Sequence, residues 1–199
     1  MNQPDIRGAI AYALLRLKQD LSPRLCYHSI EHTRDDVVPA VERLAELHHL
    51  SDEEVLLLRT AAYYHDIGYI EQRYNHEKVG LQIAGQVLPT FGYRAEQIQV
   101  IRGLIMATRM PQSPRNLLEQ MMADADLDSL GRDDFFRRSQ DLRIELETFE
   151  GQCSTSNWYH RQLQFLQQHR YFTESARSLR NPGKEHNMAK LRQLLLVEV

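Results

Sequence analysis

Three short stretches of the sequence carry side chains that could bind a metal ion together. YHSIEHT holds His28 and His32, YYHDIGY holds His65 followed directly by Asp66, and DADLD begins with Asp124. Imidazole nitrogens and carboxylate oxygens form a ligand set that suits Mn, Fe, Zn, Co or Ni and leaves coordination positions open for water. These residue types are therefore candidate ligands of a divalent metal ion.

Each stretch has a plainer explanation when it is considered alone. His28 and His32 are four residues apart and would share one face of a helix, where such a pair is more often a polar part of the surface. A His-Asp dipeptide arises by chance, and a run of aspartates is typical of a solvated helix end. Periodicity leaves Asp124 and Asp126 equivalent, because both flank the apolar stripe of their segment. The metal hypothesis depends on the combination.

In combination, the order and spacing of these stretches resemble the HD superfamily of metal-dependent phosphohydrolases. The resemblance covers about residues 21–130, and AAYYHDIGY is its most specific part. It implies that His32, His65, Asp66 and one aspartate of DADLD bind the metal. It also implies a compact helical bundle of the HD-domain type.

Two details of the resemblance concern individual residues. The ADL around Asp126 looks like the last-ligand segment of the cyclic-nucleotide phosphodiesterases in this superfamily, and Asp124 remains the alternative ligand. YHSIEHT is similar to the segment in which those enzymes place a proton donor before a metal ligand. The resemblance thus implies that His28 is a general acid, a role that suits a group titrating near neutral pH. Asp66 would both bind the metal and orient the attacking water.

The stretch NHEKVG, with His76, resembles the segment that supplies an extra histidine in the binuclear branch acting on cyclic dinucleotides. That branch continues with a His-His pair, whereas this chain has Thr108 and Arg109, and it usually has Lys where this chain has Tyr69. These departures argue against cyclic-dinucleotide hydrolysis and against a full second metal site. His76, Arg109 and Lys78 are expected to contact the phosphate of the substrate, and Arg73 is a further candidate.

The expected function is hydrolysis of a phosphomonoester or phosphodiester, most plausibly of a nucleotide, with a divalent ion (Mn, Fe, Zn, Co, Ni or Mg) as cofactor. Two alternatives stay open. The chain could be a catalytically silent sensor or scaffold with the same fold. It could also be a di-iron oxygenase of the HD-like fold, although that chemistry needs more histidine ligands than can be placed at the site.

The elements that must position these residues are predicted to be helices. Apolar residues recur at helical spacing along the chain, and no stretch shows the alternation typical of a strand. Ser22-Pro23, Ser51 with Glu54, and Ser113-Pro114 are expected helix starts. The predicted helices cover residues 5–19, 22–50, 51–68, 75–89, 94–108, 113–131, 133–150, 156–170 and the stretch from 181 onward.

We therefore expect one all-α domain over residues 1–199. Its core would span about 21–130, and a helical C-terminal extension over 131–199 has no assigned chemistry. The segments at Gly131 and Pro182 are interpreted as turns.

Composition excludes several classes of function. The 199 residues carry a net charge of -3, which gives no electrostatic reason to expect nucleic-acid or membrane-surface binding. No signal peptide or membrane-spanning run is evident. The two cysteines, Cys26 and Cys153, have no ligand spacing and are expected to be unpaired thiols in a reducing cytoplasm. The expected partner is a small phosphoester, and the oligomeric state is open.

Overall fold

The computed structural model describes residues 3–197, and all regular structure within that range is helical, which confirms the all-α prediction. The α-helices are α1 Ile6–Asp20, α2 Val38–Leu47, α3 Asp52–Tyr64, α4 His76–Val87, α5 Ala95–Ala107, α6 Leu117–Asp126, α7 Phe135–Glu150, α8 Thr155–Gln168 and α9 Glu174–Val197. A π-helical turn spans His32–Val37, and 3-10 turns span Ile67–Ile70, Leu88–Phe91 and Asp128–Gly131. Among the described residues, no helix is long and apolar enough to cross a membrane.

Helix α3 lies at the centre of the main core. It begins with the predicted capping box, in which Ser51 Oγ accepts from the backbone N–H of Glu54 and the Glu54 carboxylate accepts from the backbone N–H of Ser51. The helix packs against α1, α2, α5 and α6, and Leu58, Ala61 and Tyr64 are fully buried. This packing fixes the end of α3, where the His-Asp dipeptide follows.

The segment before α2 differs from its prediction. The helix expected from Ser22 does not form there, and regular helix is established only at the π-helical turn His32–Val37. The backbone N–H groups of Tyr27 and His28 instead donate to the carboxylate of Glu145, at 2.9 and 3.1 Å. Because these donors are bonded to a distant helix, the segment is held in an irregular conformation that local sequence signals do not encode.

The C-terminal helices form a second, smaller apolar cluster with the 3-10 turn at residues 128–131. Its buried members are Leu130, Phe135, Leu166, Met188 and Leu191. The turn expected at Pro182 is wrong, since Pro182 lies inside α9.

Close backbone packing explains the glycine that follows Pro182. A Cβ on Gly183 would lie 2.0 Å from the carbonyl oxygen of Gly131. Helix α9 thus approaches the turn at a distance that only glycine allows. Asp128 secures the same junction, because its buried carboxylate accepts hydrogen bonds from Arg43 at 2.8 Å and Arg180 at 2.7 Å.

Candidate metal centre

The end of α3 sets the relative positions of His65 and Asp66. Adjacent side chains on a helix diverge by about 100°, but α3 ends at Tyr64 and the chain turns into the 3-10 turn Ile67–Ile70. Asp66 therefore lies beyond the helix, and its Oδ2 lies 3.2 Å from His65 Nε2.

A glycine after the dipeptide brings a third residue to the same place. A Cβ on Gly68 would lie 1.9 Å from the carbonyl oxygen of His76, so the 3-10 turn packs directly on the first turn of α4. His76 Nε2 consequently lies 3.4 Å from Asp66 Oδ1.

Four side chains from three parts of the chain converge at this point. His32 Nε2 lies 3.3 Å from Asp126 Oδ1 and 3.9 Å from Asp66 Oδ2. His65 Nε2 lies 3.5 Å from Asp126 Oδ1. Ligand atoms of His32, His65 and Asp66 all lie within 4.8 Å of one another, which is close enough to share one metal ion.

Groups on the Nδ1 side of each ring orient the imidazoles of His65 and His32. His65 Nδ1 lies 2.7 Å from the carbonyl oxygen of Ala62, an acceptor that requires the proton on Nδ1 and directs the Nε2 lone pair into the cluster. His32 Nδ1 lies 3.5 Å from Asp36 Oδ2, and Asp36 is itself paired with Arg132 and Arg138. Carboxylates and carbonyls behind a histidine are the usual supports of a metal-binding imidazole.

The cluster fits a cation because two of its inner atoms have no hydrogen-bond partner among the described residues. His65 Nε2 and Asp66 Oδ2 are buried and make no hydrogen bond within residues 3–197. A buried polar atom without a partner costs about 1–3 kcal/mol, and more if it is charged. A divalent ion between these atoms would satisfy both.

The electrostatics of the cluster also favour positive charge. Burial alone would raise the pKa of Asp126, but the imidazoles of His32 and His65 lower it to about 2. The pKa of Asp66 is likewise well below its usual range, since His65 and His76 outweigh burial. Burial would lower the pKa of His65, yet the two carboxylates raise it well above its ordinary value. A metal ion would take the place of the proton that these carboxylates attract.

The two aspartates that periodicity left equivalent have different surroundings. Residues two apart on a helix point about 200° apart, so Asp126 faces the histidines and Asp124 faces the C-terminal helices. Asp124 accepts from the backbone N–H groups of Phe172 and Thr173 at 2.7 and 2.8 Å, and from the Thr173 hydroxyl at 2.7 Å. The structure therefore does not bring Asp124 to the cluster, because its carboxylate holds the start of α9.

His28 lies beside the cluster but not on a shared helical face with His32, so that part of the prediction is wrong. The two rings are 6.3 Å apart and nearly perpendicular. His28 Nδ1 lies 2.5 Å from Glu145 Oε1, and the imidazole stacks on the ring of Tyr69 at 4.3 Å. Burial would raise the pKa of Glu145, but its bonds to His28 lower it, so Glu145 is a carboxylate.

A cavity of about 540 Å³ opens at the cluster, and His28, Asp66, His76 and Asp126 line its charged end. Lys78 and Arg109, which were expected to contact phosphate, do not line it. Lys78 is exposed on α4, and Arg109 is an exposed residue that donates to Asn75 and lines a separate groove.

The cations that do line the cavity with His76 are three arginines. Arg138 is committed to Asp36, and Arg73 is paired with Glu150 at 2.5 Å. Arg161 makes no ion pair with any residue that the structure describes. It is therefore the arginine that is free to bind an anion in this cavity.

Sequence analysis missed the residues that the C-terminal helices contribute, above all Glu145. No local motif marks it, but a signal exists in α7. Phe135, Leu142 and Leu146 form an apolar stripe at helical spacing, and Glu145 lies on that stripe rather than on the solvated face. A carboxylate on an inward stripe indicates a buried partner, which here is His28.

The fold and the cluster together define an all-helical protein with a buried histidine-aspartate centre. The sequence model of the HD domain family matches residues 30–129, half of the chain, and the chain belongs to this family. Its structure is similar to a crystal structure described as a predicted HD superfamily hydrolase from an uncultured Thermotogales bacterium, with a TM-score of 0.65 and 20% sequence identity. That similarity covers 98% of this chain and 93% of the other, so the shared fold includes the C-terminal helices. No curated protein matches the chain.

Proposed function

We propose that the protein is a metal-dependent phosphohydrolase that cleaves a phosphomonoester or phosphodiester bond of a nucleotide. The observation that carries the proposal is the convergence of His32, His65, Asp66 and Asp126 at the charged end of a cavity, with His28 beside them. Two imidazoles with two carboxylates suit Mn, Fe, Zn, Co, Ni or Mg. Membership of the HD family and the hydrolase description of the similar structure support the reaction class.

The proposed metal ligands are His32 Nε2, His65 Nε2, Asp66 Oδ2 and Asp126 Oδ1. A divalent ion in such a site supplies Lewis acidity at a phosphoryl oxygen and makes water acidic enough to attack near neutral pH. The second oxygen of Asp66, Oδ1, faces His76 at the cavity, where it can accept a hydrogen bond from the attacking water and orient it.

His28 is placed to act as the general acid. The carboxylate of Glu145 accepts the Nδ1–H of the imidazole and fixes the ring, which leaves Nε2 available to the substrate. When the phosphorus–oxygen bond of the ester breaks, the proton on Nε2 passes to the departing alkoxide oxygen. Proton transfer of this kind contributes about 10²- to 10⁴-fold to the rate.

We propose that phosphate binding falls to two residues that line the cavity, His76, which was expected from the sequence, and Arg161, which was not. His76 is held against Asp66 and stacks on Tyr69 at 3.9 Å, so its ring has a fixed position. Arg161 is the arginine in the cavity without a carboxylate partner among residues 3–197. We propose that these two groups contact the non-bridging oxygens of the phosphate.

We also propose that the protein works in the cytoplasm. Cys26 and Cys153 are both free thiols, which is compatible with a reducing cytoplasm. A small phosphoester that fits a cavity of this size would be the binding partner.

Metal analysis of protein purified without chelator, combined with a panel of nucleotide phosphoesters, tests the proposal. We expect bound divalent metal and hydrolysis of at least one phosphoester, with both lost in His65→Ala and Asp66→Ala. Asp35→Asn is the matched control, since Asp35 is an exposed aspartate that pairs with Arg34 outside the cavity. Metal retained at the wild-type ratio in both alanine variants would show that the cluster is not the metal site.

The same experiment separates the two alternatives. Stoichiometric metal without hydrolysis of any phosphoester would favour a silent sensor or scaffold. Two irons per chain with consumption of dioxygen would favour the oxygenase.

A further inference from the structure

The cavity is far larger than a phosphate group requires, and its second end is apolar. Its volume of about 540 Å³ lies within the range of roughly 300–1,000 Å³ that is typical of pockets for drug-sized ligands. The residues of this second end come mainly from α7, α8 and the turn between α6 and α7: Leu127, Leu130, Leu142, Leu146, Trp158 and Phe165. A substrate that fills the cavity must therefore carry a sizeable apolar group.

Helix α7 joins the two ends of the cavity. Glu145 of α7 contacts His28. Leu142 precedes Glu145 by three residues, Leu146 follows it directly, and both leucines line the cavity. Three residues of helix correspond to about 4.5 Å along the axis. The apolar wall thus begins within one helical turn of the proposed general acid, on the same rigid element.

The wall from α8 is aromatic and fixed in place. Trp158 and Phe165 are seven residues apart and lie on one face of the helix. The indole N–H of Trp158 donates to Ser139 Oγ at 3.0 Å, which holds the ring against α7. A rigid aromatic surface of this kind favours a flat aromatic group of a ligand over a flexible chain, because little rotamer entropy is lost on stacking.

Polar side chains of α7 and α8 also line the cavity, among them Ser139, Arg161 and Gln162. Gln162 lies on the same face of α8 as Trp158, four residues later, and only 8% of the residue is exposed. Its amide makes no hydrogen bond to any residue in the described range 3–197. The amide atoms of Gln162 keep accessible surface toward the cavity, so they are available to hydrogen-bond the edge of a ligand.

We propose that the α7–α8 wall is a subsite for a nucleobase, with Trp158 and Phe165 as the apolar surface and Gln162 as the group that hydrogen-bonds the edge of the base. The subsite rests on the proposed function, because it places the base next to a phosphate at the metal centre. It goes beyond that function by assigning substrate selection to helices that lie outside the residues matched by the HD domain family.

The single tryptophan of the chain offers a direct readout of this subsite. Titration of the metal-loaded full-length protein with adenosine, adenosine 5′-monophosphate and ribose 5-phosphate would be followed by the fluorescence of Trp158. We expect adenosine and adenosine 5′-monophosphate to change the fluorescence with saturation, and ribose 5-phosphate to leave it unchanged. Equal responses to the nucleotide and to ribose 5-phosphate would overturn the proposal.

Two variants test the residues of the subsite. Gln162→Leu should weaken binding of adenosine 5′-monophosphate about 5- to 100-fold while ribose 5-phosphate binding, measured by calorimetry, stays unchanged. Gln167→Leu is the matched control, because Gln167 is an exposed residue on the same helix. Phe165→Ala should weaken nucleotide binding to a similar extent, with thermal unfolding to verify that the variant is folded. Wild-type affinity in Gln162→Leu would overturn the assignment, as would tighter binding of dodecyl phosphate than of the nucleotide.

The outcomes also distinguish the subsite from the proposed function. Saturable binding of adenosine without cleavage of any phosphoester would leave the subsite intact and remove the phosphohydrolase. Hydrolysis of phosphoesters with no preference for an aromatic group, and no effect of Gln162→Leu, would leave the phosphohydrolase intact and remove the subsite.

Discussion

Replacement of Glu145 by Gln is the sharpest perturbation of the proposed chemistry. In the wild type, Oε1 lies 2.5 Å from His28 Nδ1 while Oε2 accepts two backbone N–H groups, from Tyr27 and His28. An amide has a single acceptor oxygen, so Glu145→Gln must turn its NH2 group toward one of these donors. The variant loses a buried hydrogen bond to a charged group and the negative charge that lies next to the imidazole of His28.

The size of the effect follows from that contact. A hydrogen bond to a charged group contributes about 1.5–3 kcal/mol, and each 1.36 kcal/mol of transition-state stabilisation is tenfold in rate. We therefore expect kcat for a nucleotide substrate to fall about 10- to 150-fold in Glu145→Gln. Bound metal should remain at the wild-type ratio, because Glu145 is not a proposed ligand.

The assay compares two leaving groups. A nucleotide leaves as a poor alkoxide that needs a proton, whereas 4-nitrophenyl phosphate releases a stable nitrophenolate that needs little protonation. The loss in Glu145→Gln should be several-fold smaller for the nitrophenyl ester. Glu147→Gln is the control, since Glu147 lies on the same helix and pairs with Arg143 outside the cavity. Equal losses for both leaving groups would refute the role of Glu145 in acid catalysis and leave it a structural residue.

Three further predictions concern other parts of the molecule. His32→Ala should lose both metal and activity. His28→Ala should keep its metal, as measured by metal analysis, and lose about 10²- to 10⁴-fold in nucleotide turnover. Loss of metal in His28→Ala would make His28 a ligand. Asp126→Asn should release metal, whereas Asp124→Asn should keep it. Because the carboxylate of Asp124 holds the start of α9, Asp124→Asn should lower the free energy of unfolding by about 1–3 kcal/mol in urea titrations. The reverse pattern would exchange the roles of the two aspartates. Burial and a nearby ammonium group lower the pKa of His169 from 6.5 to about 4. Between these pH values the unfolded chain binds more protons than the folded chain, so the free energy of unfolding should fall by at most about 3 kcal/mol as the pH drops from 6.5 to 4. His169→Gln should reduce this pH dependence in urea titrations, and an unchanged pH dependence would contradict the assignment.

The residues of the candidate metal centre could be found from the sequence because their signals are local. The apolar run that ends in His65-Asp66 and the capping box at Ser51 each need only neighbouring residues to be recognised. Both depend on short-range geometry, namely helical periodicity and the pairing of a cap with the third residue of its helix. The helical class of the chain was predictable for the same reason.

Tertiary structure decided the different contacts of Asp124 and Asp126. Both flank one apolar stripe, and their segment alone does not say which flank meets the histidines and which meets the loop before α9. Packing of α6 between those two parts of the molecule gives one carboxylate two histidine partners and gives the other three hydrogen-bond donors. Helical periodicity specifies a face but not what lies opposite that face.

The substrate side of the site was also decided by tertiary structure. Glu145 is 117 residues from His28, and Gln162 and Trp158 are 97 and 93 residues from His65. The sequence by itself determined the helices, the metal-binding residue types and their order along the chain, because these depend on neighbours. Only the folded chain determined that α7 and α8 close the cavity, because burial of an apolar face against a distant partner depends on the packing of the whole chain and leaves no local pattern.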